Sequence, residues 1–381
     1  MGNRRTPHVG WRGILPLIIV IVVAAPVGAQ GVRRPRLDRD ADTLDPRSYW
    51  AYGNRRDVSW ERTYEAYYWS WRLAPDQTDY LYGMYQAMWF RQTPQWRAQF
   101  REGVLSVTRS RPARQLDSIQ EEIYLRDPFP YLDGPCVWPT GVEDFYQRYP
   151  AVAALWFSDY NCHDQAAEYY TRAIDREPGQ LWLRLERARS LIFRRQYRAG
   201  VEDLRVILDT LRARDETYFS RVYQSKAFFE YMVGVSLHRA QDLRGAREAF
   251  GHSLTEDLSF WPAHARLGDV GAAAGNLTEA TSEYELAVGL RGDDGVLRYR
   301  YGMALMRASR LEDAEAQLRE AIRLEPHWME PYGQLAVCLD RLNRTEDAVA
   351  MYRAYAGRVP QRLSSRRDQA LARAAELEAG S

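Results

Sequence analysis

Apolar positions in the C-terminal half of the chain recur at helical spacing, and the pattern itself repeats. Gly234, Gly268, Gly302 and Ala336 each stand 34 residues after the last. Twelve residues after each small residue comes Ala246, Ala280, Ala314 or Ala348, and four further on Phe250, Tyr284, Leu318 or Tyr352. Three more reach Ser253, Ala287, Ala321 and Tyr355, and Leu258, Gly292, Pro326 and Pro360 close the units. The offsets predict two short antiparallel helices per unit. A small side chain on the first helix admits the second at close range, where alanine faces it and the large residue fills the adjoining groove. Proline has no amide with which to continue the helix, and Gly292 turns the chain without a side chain.

These columns resemble the tetratricopeptide repeat, whose small, alanine, aromatic and proline slots fall at such separations. The resemblance implies an all-α fold, a right-handed superhelical solenoid of antiparallel helix pairs with the first helices lining the concave side. Upstream, the same rule finds Ala154, Ala166, Tyr170, Ala173 and Pro178, then Ala188, Gly200, Leu204 and Ile207, and near the start Ala51, Thr63, Tyr67, Ser70 and Pro75. The aromatic usual early in the first helix is replaced by Glu230, His264 and Arg298 and present as Tyr332.

The expected organisation follows. Residues 1–29 read as a secretory signal peptide, with Arg4, Arg5 and Arg12, an apolar stretch from Ile14 to Ala25, and Val27, Gly28 and Ala29 at the cleavage site. Gly13 to Ala29 is shorter than the roughly 20 residues a spanning helix needs, and Pro16 and Pro26 interrupt it. Residues 30–43 are a disordered leader, and 44–146 are aromatic-rich degenerate repeat-like helices with a Pro-rich insertion at 126–141. Two units at 147–214 follow, then a helical insertion at 215–226, four tandem units at 227–362 and a capping helix at 363–381 with Leu371, Ala374 and Leu377 inward. One elongated domain is the simplest account, located in the periplasm or outside the cell, or anchored by an uncleaved signal facing the same side.

Charge narrows the partners. Basic and acidic residues number 52 and 51, and loss of the signal takes the formal charge from +1 to −2. Nothing in that balance points to nucleic acid. Lys226 is the only lysine. Genomic base composition explains that, although guanidinium also suits bidentate contacts better than ammonium does. Cys136 and Cys162 are candidates for a disulfide in an oxidising space, whereas Cys338 falls on the apolar side of a helix.

No catalytic motif is present: there is no His-Glu-x-x-His, phosphate loop, Gly-x-Ser-x-Gly elbow or Cys-x-x-Cys. Cys162, His163 and Asp164 look ligand-like but sit at a helix start, and His238, His252, His264 and His327 stand singly. Asn276-Leu277-Thr278 and Asn343-Arg344-Thr345 match the glycosylation sequon, and helix-to-helix turns explain them, with Asn in the left-handed turn and Thr as the cap. The chain is therefore expected to be non-catalytic, with no cofactor and no metal. It would be a protein-binding scaffold of the cell envelope, contacting membrane only through an uncleaved anchor.

Aromatic and arginine side chains dominate the positions that the resemblance places in the concave groove: Trp182, Arg189, Phe193, Tyr231, Arg239, Tyr299, Arg300, Met303, Arg307 and Arg341. Such residues anchor binding interfaces, although aromatics also fill the space between repeats. The family's carboxylate clamp is not reproduced, since its places hold Tyr231, Val235, Ala265, Asp269 and Arg266. The alternative is a glycan or cell-wall binding module in which the Trp-rich segment from Trp50 to Trp96 stacks on sugar rings. An enzymatic site around Asp133, Cys136, Glu143 and Asp144 ranks below both.

Overall fold

The computed structural model describes residues 32–55, 57–84, 87, 136, 147–159, 162–219 and 224–380. The signal segment and most of 88–146 lie outside the described residues. So do the Pro-rich insertion, apart from Cys136, and Asn161.

The helix pairs form as the spacing predicts. From α3 onward they run α3 (Pro150–Asp159) with α4 (His163–Arg176), α5 (Leu181–Phe193) with α6 (Tyr197–Ala213), and α7 (Lys226–Arg239) with α8 (Leu243–Glu256). They continue as α9 (Trp261–Ala273) with α10 (Leu277–Leu290), α11 (Gly295–Arg307) with α12 (Leu311–Leu324), and α13 (Glu330–Arg341) with α14 (Thr345–Ala356). Each second helix also packs on the first helix of the next pair, so the described residues form an all-α solenoid apart from one small hairpin.

Close approach explains the columns. A methyl group at Gly234, Gly268 or Gly302 would stand 2.4, 2.9 or 2.9 Å from Phe250, Tyr284 or Leu318. Ala246, Ala280, Ala314 and Ala348 are fully buried opposite. The turn between helices recurs at the same period, with Gln241, Gly275, Ser309 and Asn343 at φ of 62°, 80°, 60° and 57°. Only Gly275 takes the left-handed region without steric cost. That corrects one sequon: Gly275 makes the turn and Asn276 is the cap, its side chain accepting from the Glu279 amide at 3.3 Å. In the other, Asn343 is left-handed as expected, and Thr345 opens the helix rather than capping it.

The missing aromatics are replaced by side chains that do a specific task. His264 Nε2, Arg298 Nε and Tyr332 OH each bond the carbonyl six residues back, of Leu258, Gly292 and Pro326, at 3.2, 3.0 and 3.1 Å. Those carbonyls sit where the preceding helix has ended, so each slot ties the inter-unit turn to the next first helix. His264 and Arg298 also reach nineteen residues forward, to Glu283 and Gln317, both at 2.7 Å. Glu230 instead takes Arg212 of α6 at 2.6 Å.

Three expectations are corrected. The described residues between α6 and α7 do not extend a helix. Asp215 at φ 51° ends α6, and β1 (Tyr218–Phe219) pairs antiparallel with β2 (Gln224–Ser225) before α7 begins. Their aromatic and β-branched residues suit a pleated strand as well as a helix, and Phe219 is buried against Phe229. In the C-terminal helix α15 (Ser364–Ala379), Ala370 and Ala374 face inward while Leu371 is exposed. In the first pair, α1 (Pro46–Gly53) with α2 (Trp60–Leu73), Gly53 rather than Ala51 makes the close contact with Tyr67, because α1 is short.

The N-terminal pair also departs from a simple extended row. Residues 32–43, expected as a disordered leader, follow a defined course: Arg34 bonds Tyr49 at 2.7 Å and lies over the Trp69 ring, whose Nε1 donates to the Val32 carbonyl. Arginine packed on aromatic faces supplies the contacts that aliphatic residues would otherwise make. The pair then meets the far end of the array. Arg72 pairs with Glu325 at 2.7 Å with both side chains nearly buried, Trp69 meets His327 edge-on, and Asp45 pairs with Arg362.

Two outcomes check this packing. Gly268→Ala should cost about 1–3 kcal/mol by overpacking against Tyr284, read as a lowered midpoint in chemical denaturation, and no loss would contradict the close approach. The Glu283 bond, opposed by burial, raises the His264 pKa above 6.5. Its stabilisation is complete below that value and lost as pH rises through the folded value. Glu283→Gln should therefore lower the melting temperature more at about pH 6 than at about pH 8.5.

Candidate functional site

Three consecutive first helices, α7, α9 and α11, contribute residues to one surface cavity. The cavity, of about 220 Å³, is lined by Tyr231, Arg239, Trp261, Arg266 and Arg300, with Asp76, in the loop after α2, and Thr78, in the helical turn that follows, forming its other side. That cavity brings together three residues singled out from the sequence, Tyr231 and Arg239 of α7 and Arg300 of α11.

Their roles differ from expectation in detail. Tyr231 has no exposed surface and packs with Phe228, Phe250 and Phe260, so it is a core residue rather than an open anchor. Its hydroxyl accepts from Arg266 at 3.4 Å. Arg300 is paired within the protein, to Asp269 at 3.3 Å, and Arg266 reaches the same carboxylate at 3.2 Å. Burial works against that carboxylate, but Arg300, Arg266 and the Tyr284 hydroxyl at 2.5 Å outweigh it and hold its pKa below the usual range. The aspartate that replaces part of the family's clamp thus organises the arginines instead of admitting a terminal carboxylate. Arg239 and Arg307 are exposed at the ends of α7 and α11.

The remaining predicted residues are spread along the array. Tyr299 stands edge-on to Trp328 at 4.6 Å, and burial, with Glu330 and Asp76 adding to it, pushes its hydroxyl up to about 12. Met303 is half-buried against the core of its unit, and Arg341 donates to the Met306 carbonyl at 3.0 Å. Trp182 fills the space between two units, Arg189 pairs with Glu186 at 2.8 Å, and Phe193 stacks flat on His163 at 4.2 Å. Trp182 and Phe193 serve packing there rather than a shared groove with Arg300. His163 is thereby accounted for, and burial lowers its pKa to about 4.

Sequence reasoning missed Asp76, Thr78 and Glu330. Glu330 opens α13, and burial raises its carboxyl to about 7, with Asp76 adding to the effect and Arg366 opposing it. No periodicity could reveal this, because Asp76 and Glu330 are 254 positions apart and meet only through the return of the N-terminal pair.

Cys136 and Cys162 form a disulfide with Cα atoms 5.2 Å apart, and Cys338 is a buried thiol donating to the Leu311 carbonyl. Among the described residues, no group of three or more histidines, cysteines or carboxylates could hold a metal, and no helix is long and apolar enough to cross a membrane. Of the tryptophans proposed to stack on sugars, Trp50 packs on Tyr67 at 4.4 Å, Trp69 on Arg34 and His327, and Trp71 on Tyr68. Trp89, Trp96 and Trp138 lie outside the described residues, as do Asp133, Glu143 and Asp144.

No protein-family model and no curated protein matches the chain. Among solved structures it is similar to MamA at 16% identity, covering 48% of this chain and 93% of that one with a TM-score of 0.40. It is also similar to YrrB, a TPR protein with an unusual peptide-binding site, at 18% identity over 54% of this chain and 98% of that one, TM-score 0.43. The TPR2AB-domain:pHSP90 complex of yeast Sti1 is 17% identical over 61% of this chain and 99% of that one, TM-score 0.27. The architecture is fixed by this chain's own helices rather than by those likenesses. With a 34-residue period, a small residue over a large one in each unit and helices stacked in antiparallel pairs, the chain is a tetratricopeptide-type repeat protein in fold.

Proposed function

We propose that this protein is a non-catalytic scaffold of the cell envelope whose concave face, across α7, α9, α11 and α13, holds a protein segment carrying acidic and apolar residues. The observation that carries the reading is the arrangement at the cavity: Arg239, Arg266 and Arg300 come from three successive first helices, and Trp261 supplies an apolar surface beside them. Asp269 satisfies part of the charge of Arg266 and Arg300 and fixes their direction, which lowers the entropy a partner must overcome. Guanidinium groups held this way favour carboxylates over neutral polar groups. The array also repeats the wall at a fixed spacing, which suits an extended or helical segment better than a small molecule.

Export is part of the same proposal. It rests on the apolar N-terminal stretch and is supported by the Cys136–Cys162 disulfide, a bond that persists in oxidising compartments and is rare in reducing ones.

The test is peptide selection by the full-length protein. Binders should be enriched in Asp or Glu with an aromatic or aliphatic neighbour. Replacing Arg239 and Arg307 by glutamate should weaken them by about tenfold, the loss expected when a charge-assisted contact is reversed. Selection of basic peptides, or binding indifferent to both replacements, would exclude this face as the site.

A further inference from the structure

The concave face described above is already partly covered by the chain itself. The segment after α2 sets Asp76, in a loop, and Thr78, in the helical turn that follows, against the cavity lined by α7, α9 and α11. Its flanks are fastened to the later units at separate points. The Asp42 carboxylate accepts from the Gln361 amide, and Asp45 pairs with Arg362, both in the turn between α14 and α15. Arg72 and Glu325 form a pair whose side chains are only 12% and 11% exposed, and Trp69 sets its edge against His327.

These fastenings differ in kind from the contacts that build the array. Successive units join through whole helix faces, with alanines and glycines allowing close approach. The N-terminal segment is joined by side-chain pairs, three of them involving a carboxylate, laid on a surface rich in arginine. Contacts of this polar type between parts of one chain behave like transient interfaces and permit relative motion. One neighbour even opposes closure: burial raises the Glu330 carboxyl, and the nearby Asp76 adds to that rise.

We propose that residues 32–80 are a built-in competitor for the arginine-bearing concave face, so that an acidic partner segment binds by displacing them. The proposal rests on the groove reading above. It also gives the partner a chemistry, because the segment that lies there brings a carboxylate, Asp76, to the lining that holds Arg239, Arg266 and Arg300. A tethered occupant acts at an effective concentration in the millimolar range. The apparent affinity for a partner in trans is therefore reduced by the fraction of molecules that are open.

The experiment uses the full-length chain and a fluorescent synthetic peptide of residues 38–80, with binding read by anisotropy. Arg72→Glu sets two carboxylates against each other at the Glu325 site and leaves the concave wall intact. It should bind the peptide at least about tenfold more tightly than the unaltered protein, since opening one molecule in ten instead of one in a hundred changes the apparent affinity by that factor. Hydrogen exchange should rise together at 74–80 and at 325–330, and the double change Arg72→Glu with Glu325→Arg should return both to the unaltered rates. Recovery in the double variant separates displacement from misfolding. Asp45→Asn, which keeps the cap of α1, should give a smaller shift in the same direction.

Equal peptide affinity in the unaltered and Arg72→Glu proteins would overturn the proposal, as would exchange that rises at only one of the two segments. A dimer with the segment exchanged between copies, seen from the scattering mass, would overturn it as well. The two readings fail separately. If Arg72→Glu gains nothing while Arg239→Glu still loses acidic peptides, the competitor is wrong and the groove stands. If Arg72→Glu gains affinity for its own segment while selected acidic peptides ignore Arg239, the groove assignment is wrong and the closure stands.

Discussion

The architecture depends on a small residue standing beneath a large one. Where Gly234 meets Phe250 or Gly268 meets Tyr284, the absence of a side chain lets two helices approach until ring and backbone touch. A single such pair has two faces and can cover only one of them, so stability comes from the next pair and propagates along the row. That constraint also dictates where the chain can vary. Residues on the contact faces are fixed by distance, whereas those on the concave side and at the turns are left open to polar chemistry.

The polar chemistry is used consistently. His264, Arg298 and Tyr332 occupy one slot in three successive units and each ties down the turn six residues before it, although the three side chains share no functional group. Arginine is prominent elsewhere. Arg187 grips the buried Asp203 through two nitrogens at 2.7 Å, and Arg344 reaches Glu315 of the preceding unit at 2.7 Å. The Arg187 contact uses the planar fork that lysine lacks. An array built with such ties between units has a rigid wall on which a second element can rest, and α1 and α2 rest there.

Much of the helical framework was legible in the sequence because the packing contacts are local and periodic. Gly302, Ala314 and Leu318 announce their helices through spacing alone, and Arg239 and Arg300, singled out once the first helices are placed, line one cavity. The departures have physical causes. Tyr218 and Phe219 fit a strand as readily as a helix, and only the left-handed Asp215 decides between them. Tyr231 carries the right chemistry for an anchor, but its position turns it into the core. The largest departure, contact between the first pair and the units beyond Glu325, leaves no periodic trace, because Arg72, Asp45 and Asp76 each meet partners more than two hundred residues away.

The account is most directly tested by a distance measured across that contact. Spin labels placed at Gln77, in the loop over the concave wall, and at Arg307, at the exposed end of α11, should report a single short separation in the full-length protein. A broad distribution centred at long separation would mean that the N-terminal pair continues the row away from the later units, and the closed arrangement described for this molecule would be wrong.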